Sequence, residues 1–109
     1  MNQTSNTAVI GSKQKRIAPK TTTASLGPAD TYVETDSTGG AFTVTMPLSY
    51  ECPQGQTYRI KHITDGGDVT IAYKTGDNGP ASQVITVAGG YVDLVPSPGQ
   101  WAVTAAKLS

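Results

Sequence analysis

The chain of 109 residues carries 8 Lys and Arg against 8 Asp and Glu, with one His, one Cys and a formal net charge of zero. This length fits one domain. Only 15% of residues are charged, against about 25% in an average domain, and the abundance of Thr, Gly and Pro argues against long helices. Residues 1–20 are polar and have no apolar h-region of a secretory signal, and no apolar stretch approaches about 18 residues, so we expect no signal peptide, no membrane span and synthesis in the cytoplasm.

The neutral total hides two parts of opposite charge. Residues 1–29 contain four cations and no acid, and residues 30–109 contain the other four cations and all eight acids, so the parts carry +4 and −4. The first part has no sustained period of 2 or 3.6, which predicts an extended N-terminal arm over residues 1–29, ahead of a β domain over residues 30–109. Its cationic and apolar side chains are the expected anchors on a partner: Val9, Ile10, Lys13, Lys15, Arg16, Ile17, Lys20 and Leu26.

The β domain begins with a short strand at residues 32–34, Tyr-Val-Glu. Residues 42–46 then alternate apolar side chains with Thr, which predicts a strand with one buried face, and Pro47 ends it. Residues 58–62 alternate in the same way. Ile63 breaks that alternation, and a β-bulge at this residue explains the break.

Further strands follow at short intervals between turns rich in Gly, Pro, Asn and Asp. Residues 65–68, Asp-Gly-Gly-Asp, are a hairpin signal that leads into a strand over 69–73. Three more strands are predicted at 83–87, 91–95 and 101–105. About seven short strands at this spacing predict an all-β fold, a compact antiparallel β-sandwich or small barrel. Its core is small for one chain, so we expect a homo-oligomer.

The residue types that carry catalysis or bind metal do not form a recognisable catalytic or metal-binding set in this sequence. His62, the only histidine, lies at an inward position of a predicted strand and is interpreted as a packed, hydrogen-bonded residue. Asp65, Asp68 and Asp77 lack the spacing of a calcium loop, and Cys52 is interpreted as a free thiol. Because phosphate-binding glycine motifs are also missing, the sequence predicts a protein that is not an enzyme and uses no cofactor.

The basic residues of the arm are not interleaved with aromatic residues, so a protein partner is favoured over nucleic acid. Trp101 follows a Pro-Ser-Pro-Gly turn and is expected to close one end of the sandwich, with its N–H bonded to a carbonyl. Stacking on a sugar is the alternative for Trp101. Tyr50 and Tyr73 border loops, where they serve either recognition or packing.

The order of these segments resembles a known β module. The segments are Phe42–Pro47, Thr57–Ile63, Val69–Ile71, Val84–Ile85, and Tyr91–Val95 with Gly99–Trp101. Together they resemble a module found in structural proteins of tailed bacteriophages, including tail fibres, head fibres and capsid decoration proteins. The resemblance covers about residues 30–106.

The resemblance implies a trimer on the virion. Because the module makes up most of this chain, it favours a capsid decoration, or cement, protein whose arm binds the major capsid protein at the outer capsid surface and stabilises the shell. Two alternatives share the fold. One is a fibre or tail-tip module that binds host glycan through Tyr50, Tyr73 and Trp101, and the other is a head–tail or portal adaptor.

Overall fold

The computed structural model describes residues 18–79 and 83–109, which form two four-stranded sheets packed face to face. The strands are β1 (Ala24–Ser25), β2 (Tyr32–Asp36), β3 (Phe42–Thr45), β4 (Tyr58–Thr64), β5 (Val69–Ala72), β6 (Gln83–Ile85), β7 (Tyr91–Ser97) and β8 (Gln100–Lys107), and one 3₁₀ turn covers Ser49–Glu51. The predicted all-β sandwich is confirmed.

The strand order shows how the chain winds. Sheet 1 has the order β1-β3-β5-β6 and sheet 2 the order β2-β4-β7-β8. The first five strands therefore alternate between the sheets, and β1–β3, β3–β5 and β2–β4 pair in parallel. The predicted antiparallel arrangement is correct only for β5–β6, β4–β7 and β7–β8. The N-terminal half therefore winds around the core like a solenoid, passing from one sheet to the other with each strand, and we call one passage through both sheets a coil. The last three strands add antiparallel pairs to both sheets.

Because of this winding, the hairpin predicted at residues 65–68 is wrong. This turn joins β4 of sheet 2 to β5 of sheet 1, so the strands that it connects do not pair with each other. It stacks on the equivalent turn of the preceding coil, residues 37–41, which joins β2 to β3. We call these two stacked turns the glycine corner.

Alternation places the core where the sequence predicts it. Phe42, Val44 and Met46 point inward, and so do Tyr58 and Ile60. The remaining buried apolar side chains of the described residues are Leu26, Val33, Cys52, Val69, Ile71, Ile85, Val92, Leu94 and Trp101.

The predicted β-bulge in β4 is confirmed. Thr35 is opposite His62 and Asp36 is opposite Thr64, so the register between β2 and β4 skips Ile63. Ile63 is left 37% exposed. The bulge brings the end of β4 into the glycine corner.

Candidate functional site

The predicted arm residues fall into two groups. Val9, Ile10, Lys13, Lys15, Arg16 and Ile17 lie outside the described residues. Lys20 lies beside the edge of sheet 2, as a parallel partner of Thr35. Its N–H donates to the carbonyl of Glu34 at 2.8 Å, and its own carbonyl accepts from the N–H of Asp36 at 2.9 Å. The chain therefore joins the folded body at Lys20.

Leu26 has a different role from the one predicted. Its side chain is 3% exposed and packs in the core of its own domain. Its N–H donates to the carbonyl of Thr45 at 2.9 Å, directly after β1 has paired with β3. Leu26 is thus not free to anchor a partner, and residues 20–29, assigned to the arm by the charge pattern, contribute backbone pairs and a core side chain to the body.

Trp101 closes one end of the sandwich, as predicted. It is 3% exposed, and its indole N–H donates to the carbonyl of Pro47 at 3.0 Å. The ring also meets Tyr58 edge to face, with centroids 5.2 Å apart. Because the indole is enclosed, the alternative role of Trp101 in stacking on a sugar is wrong for this structure.

Tyr73 is a packing residue. Its ring lies so close to Gly79 that a Cβ there would be 2.4 Å from a ring carbon. Burial raises the pKa of the Tyr73 phenol, and its hydroxyl has no hydrogen-bond partner among the described residues. Tyr73 therefore offers no accessible ring face comparable with that of Tyr50.

Tyr50 is the exposed member of the predicted recognition set. It occupies the middle of the 3₁₀ turn, and 62% of the residue is accessible to solvent. We call residues 47–52 the Tyr50 loop. Three loops meet at this end of the sandwich: the Tyr50 loop, residues 73–79, and the turn between β7 and β8.

Asp77 holds these loops together. Its carboxylate accepts from the N–H of Ser49 at 2.7 Å and from the Ser49 hydroxyl at 2.8 Å. The next residue, Asn78, accepts from the N–H of Trp101 and donates to the carbonyl of Gly99. Sequence reasoning considered Asp77 only as a calcium ligand and rejected that role. Its placement after Gly76 in a tight loop indicated a turn, but nothing local indicated the serine 28 residues earlier.

A buried polar cluster lies at the opposite end, in the glycine corner. His62 is fully buried, as predicted, and its Nδ1 lies 2.8 Å from the Thr35 hydroxyl. Its Nε2 lies 3.0 Å from a carboxylate oxygen of Asp65 and 3.1 Å from the Ser37 hydroxyl. Sequence reasoning identified His62 but missed these three partners. Asp65 follows three residues later in the chain, whereas Thr35 and Ser37 come from the preceding coil.

The cluster has the residue types of a catalytic triad but a different geometry. In a triad the carboxylate and the serine bind opposite nitrogens of the imidazole, whereas here both oxygens lie on Nε2. The Ser37 hydroxyl also donates to the carbonyl of Gly67 at 2.6 Å, and its oxygen accepts from the N–H groups of Gly66 and Gly67 at 3.0 and 3.1 Å. The hydrogen-bonding capacity of the Ser37 hydroxyl is therefore used by groups of the turn.

The outer face of sheet 2 carries an ion pair in its centre. Arg59 donates to both carboxylate oxygens of Asp93, at 2.7 and 2.8 Å, and its guanidinium lies 4.7 Å from the centroid of the Tyr91 ring. The bonds to Asp93 raise the pKa of Arg59. Because the two charges neutralise each other, we interpret this ion pair as a structural link between β4 and β7.

Residues 18–79 and 83–109 lack the features of the other common kinds of site. This part of the chain contains no ligand-sized cavity and no group of three His, Cys, Asp or Glu placed to hold a metal ion. It also has no helix long and apolar enough to cross a membrane. Cys52 is a buried free thiol whose sulfur lies 3.5 Å from the carbonyl of Leu48.

Comparisons with family models, with characterised proteins and with solved structures gave no match to this chain. Function is therefore argued from the residues themselves. The most distinctive exposed feature of the described residues is the Tyr50 loop, and the sequence adds the basic cluster that precedes Lys20.

Proposed function

We propose that this chain is a non-enzymatic virion structural protein, a capsid decoration protein that binds the outer surface of the shell and stabilises it. The observation that carries the proposal is the way the basic segment joins the body. Lys20 is fixed by two backbone hydrogen bonds to the edge of sheet 2. Arg16, Lys15 and Lys13 precede this attachment point by four to seven residues, so any surface that they bind is tethered close to the body.

The charge division supports binding through this segment. The cations of residues 1–29 match an acidic protein surface, whereas the body carries an excess of four acids, so the electrostatic attraction to such a surface comes from the basic segment. Electrostatic attraction of this kind also speeds the first encounter between partners. The partner in the proposal is the major capsid protein.

The interior of the body supports a mechanical role. Its described sheets enclose a filled core, and buried hydrogen bonds tie the glycine corner and the Tyr50 loop at its two ends. A module of this kind serves as a rigid part between contacts. The same proposal includes a homo-oligomer, most simply a trimer, in which repeated contacts with the shell reinforce one another.

A second candidate is a fibre or tail-tip module that attaches to host glycan. The exposed ring of Tyr50 is the observation that favours it. Two of the three aromatic residues first assigned to such a site, Tyr73 and Trp101, are enclosed or packed, which leaves a single accessible ring and places this candidate behind decoration.

The first experiment is the copy number of the protein in purified virions of the virus that encodes it. Decoration requires an abundance comparable with that of the major capsid protein on a stained gel, whereas a fibre or an adaptor is present in a few copies. If the protein is missing from purified virions, the proposal is wrong.

The second experiment tests the basic segment in the full-length chain. We expect replacement of Lys13, Lys15 and Arg16 by Gln to weaken binding to shells about tenfold at low salt, from about 0.5 kcal/mol for each exposed charge. The matched control replaces Lys61, Lys74 and Lys107 on the body by Gln and removes the same charge. Equal losses in both variants would show that net charge alone, and not this segment, sets the affinity.

A truncation of the segment has to spare the folded body. Lys20 and Leu26 contribute to sheet pairing and to the core. We therefore expect a deletion of residues 2–17 to remove the basic cluster without unfolding the domain, and a deletion that extends through Leu26 to destabilise it.

A further inference from the structure

Tyr50 is unusual among the large side chains of the described residues because of its exposure. At 62% it exceeds Tyr32 at 38% and Ile63 at 37%, the other large hydrophobic residues that are exposed. Tyr32 is also bonded through its hydroxyl to the carboxylate of Glu34 at 3.0 Å. Within residues 18–79 and 83–109, Tyr50 is thus the large apolar side chain most exposed to solvent.

The backbone that carries Tyr50 is held from both sides. Before it, Met46, Pro47 and Ser49 are buried, and after it Cys52 is 5% exposed. The carbonyl of Pro47 accepts from the Trp101 indole, and both polar groups of Ser49 are bonded to Asp77.

Hydrogen bonds within the Tyr50 loop add to this support. The N–H of Glu51 donates to the carbonyl of Leu48 at 3.0 Å, and the N–H of Cys52 donates to that of Ser49 at 3.2 Å. The Gln54 amide also donates to the carbonyls of Ser49 and Cys52. Little backbone freedom is left to lose when this ring is buried by a partner, which favours binding.

The shape of the surface distinguishes between classes of partner. Small-molecule and sugar sites are concave and contain several converging polar groups. The described body has no such cavity around Tyr50. A single ring that projects from a rigid loop matches instead the anchor residues of protein interfaces, where Tyr is enriched and fills a pocket on the other protein.

The charge beside the Tyr50 ring limits which partner surfaces can cover it. Glu51 is the neighbouring residue and is exposed. Both carboxylate oxygens of Asp77, the other acid of this region, are engaged by Ser49. A partner that covers Tyr50 must therefore present a cation, or at least no acid, opposite Glu51.

We infer that Tyr50 is the anchor through which the body of this protein docks into an apolar socket of a partner protein, with a basic group of that partner opposite Glu51. The inference rests on the proposed function, which supplies the shell protein as the partner. It adds a contact on the body that is separate from the basic segment.

The test uses full-length variants and shells prepared without this protein. We expect Tyr50→Ser to weaken binding by about 30-fold, the loss for a hot-spot residue of about 2 kcal/mol. Tyr50→Phe keeps the ring and is expected to stay within about threefold of wild type. Tyr32→Ser removes another exposed ring and serves as the matched control. Glu51→Gln is expected to cause a smaller loss that disappears at high salt.

The outcomes separate the two proposals. If wild type binds shells and Tyr50→Ser binds equally well, the anchor is refuted while the decoration proposal stands. If wild type does not bind shells at all, the decoration proposal fails first. Binding of wild type, but not of Tyr50→Ser, to an array of immobilised glycans would overturn the protein socket in favour of a sugar. The thermal midpoint should be the same in all four variants, because neither ring lies in the core.

Discussion

The two glycines of the turn at residues 65–68 provide the sharpest test of the coil. Neither Gly66 nor Gly67 has a positive φ, so left-handed backbone is not what requires glycine there. A Cβ on Gly67 would lie 2.5 Å from the nitrogen of Ala41, and one on Gly66 would lie 2.5 Å from the carbonyl oxygen of Ser37. Both approaches are to backbone atoms of the preceding turn, which cannot rotate away.

We expect Gly67→Ala to destabilise the fold by about 2 kcal/mol or more, as overpacking of a well-packed site does. For a domain of this size that corresponds to a fall of about 10 °C in Tm. Gly39 is the matched control, because a Cβ there meets nothing within 4 Å and its φ is not positive. Gly39→Ala should be neutral or slightly stabilising.

Thermal and urea unfolding of the two variants decide the matter. If Gly67→Ala is as stable as Gly39→Ala, the turns of successive coils do not stack as described. In a solvent-exposed hairpin turn, which the sequence predicts, Gly67→Ala would be tolerated as well as Gly39→Ala, because neither glycine has a positive φ.

Three further predictions concern buried polar groups. Ser37→Ala should cost about 3 kcal/mol in urea unfolding, because it removes three hydrogen bonds of about 1 kcal/mol each: those that the hydroxyl accepts from the N–H groups of Gly66 and Gly67 and the one that it donates to the carbonyl of Gly67. A loss below about 1 kcal/mol would mean that water replaces the hydroxyl. Trp101→Phe should cost about 2 kcal/mol through the lost bond to Pro47 and a smaller ring, and unchanged stability would contradict its role in closing the sandwich. Burial raises the pKa of Tyr58, whose hydroxyl donates to the carbonyl of Pro28, above the ordinary value of 10.0. The stability that this pKa shift contributes is complete below pH 10 and falls as the pH rises above it. Tyr58→Phe should therefore have a lower Tm than wild type at pH 8, but its Tm should fall less than that of wild type between pH 9 and 11. Parallel curves of Tm against pH for the two proteins would refute this.

Local strand patterns were predictable because alternation reflects burial directly. The inward positions of β3 and β4 are those that the period of 2 predicts, including the buried His62 and the bulge at Ile63. A strand with one buried face has the same pattern whether its neighbour runs parallel or antiparallel. Pairing direction therefore could not be predicted from alternation, and a glycine pair was interpreted as the commoner hairpin.

Long-range polar contacts could not be predicted from the sequence for a related reason. Ser37 and Thr35 meet His62 across 25 and 27 residues of chain, and Asp77 meets Ser49 across 28. Their side chains are ordinary turn and strand residues when considered one at a time. What makes them partners is the coil, which brings one turn over the next.

The boundary of the arm shows how charge and packing give different information. The change of sign after residue 29 is real in the sequence, but it does not mark where the fold begins. Leu26, one apolar residue in a polar segment, enters the core, and Lys20 pairs with an edge strand although its side chain is charged. Backbone pairing tolerates any side chain that can point to solvent, so composition alone places such a boundary too late.

Lys20, where the basic segment joins the body, and Tyr50 lie at opposite ends of the body. Lys20 pairs beside Thr35, next to the glycine corner, and Tyr50 follows β3 at the end where Trp101 is enclosed. A strand of seven residues such as β4 separates these ends by roughly 20 Å. A rigid body that binds at both ends gains affinity from the second contact only if the partner surface presents both sites at that spacing. This requirement favours a repeating shell over an isolated receptor, because a lattice offers the same pair of sites to every copy of the protein.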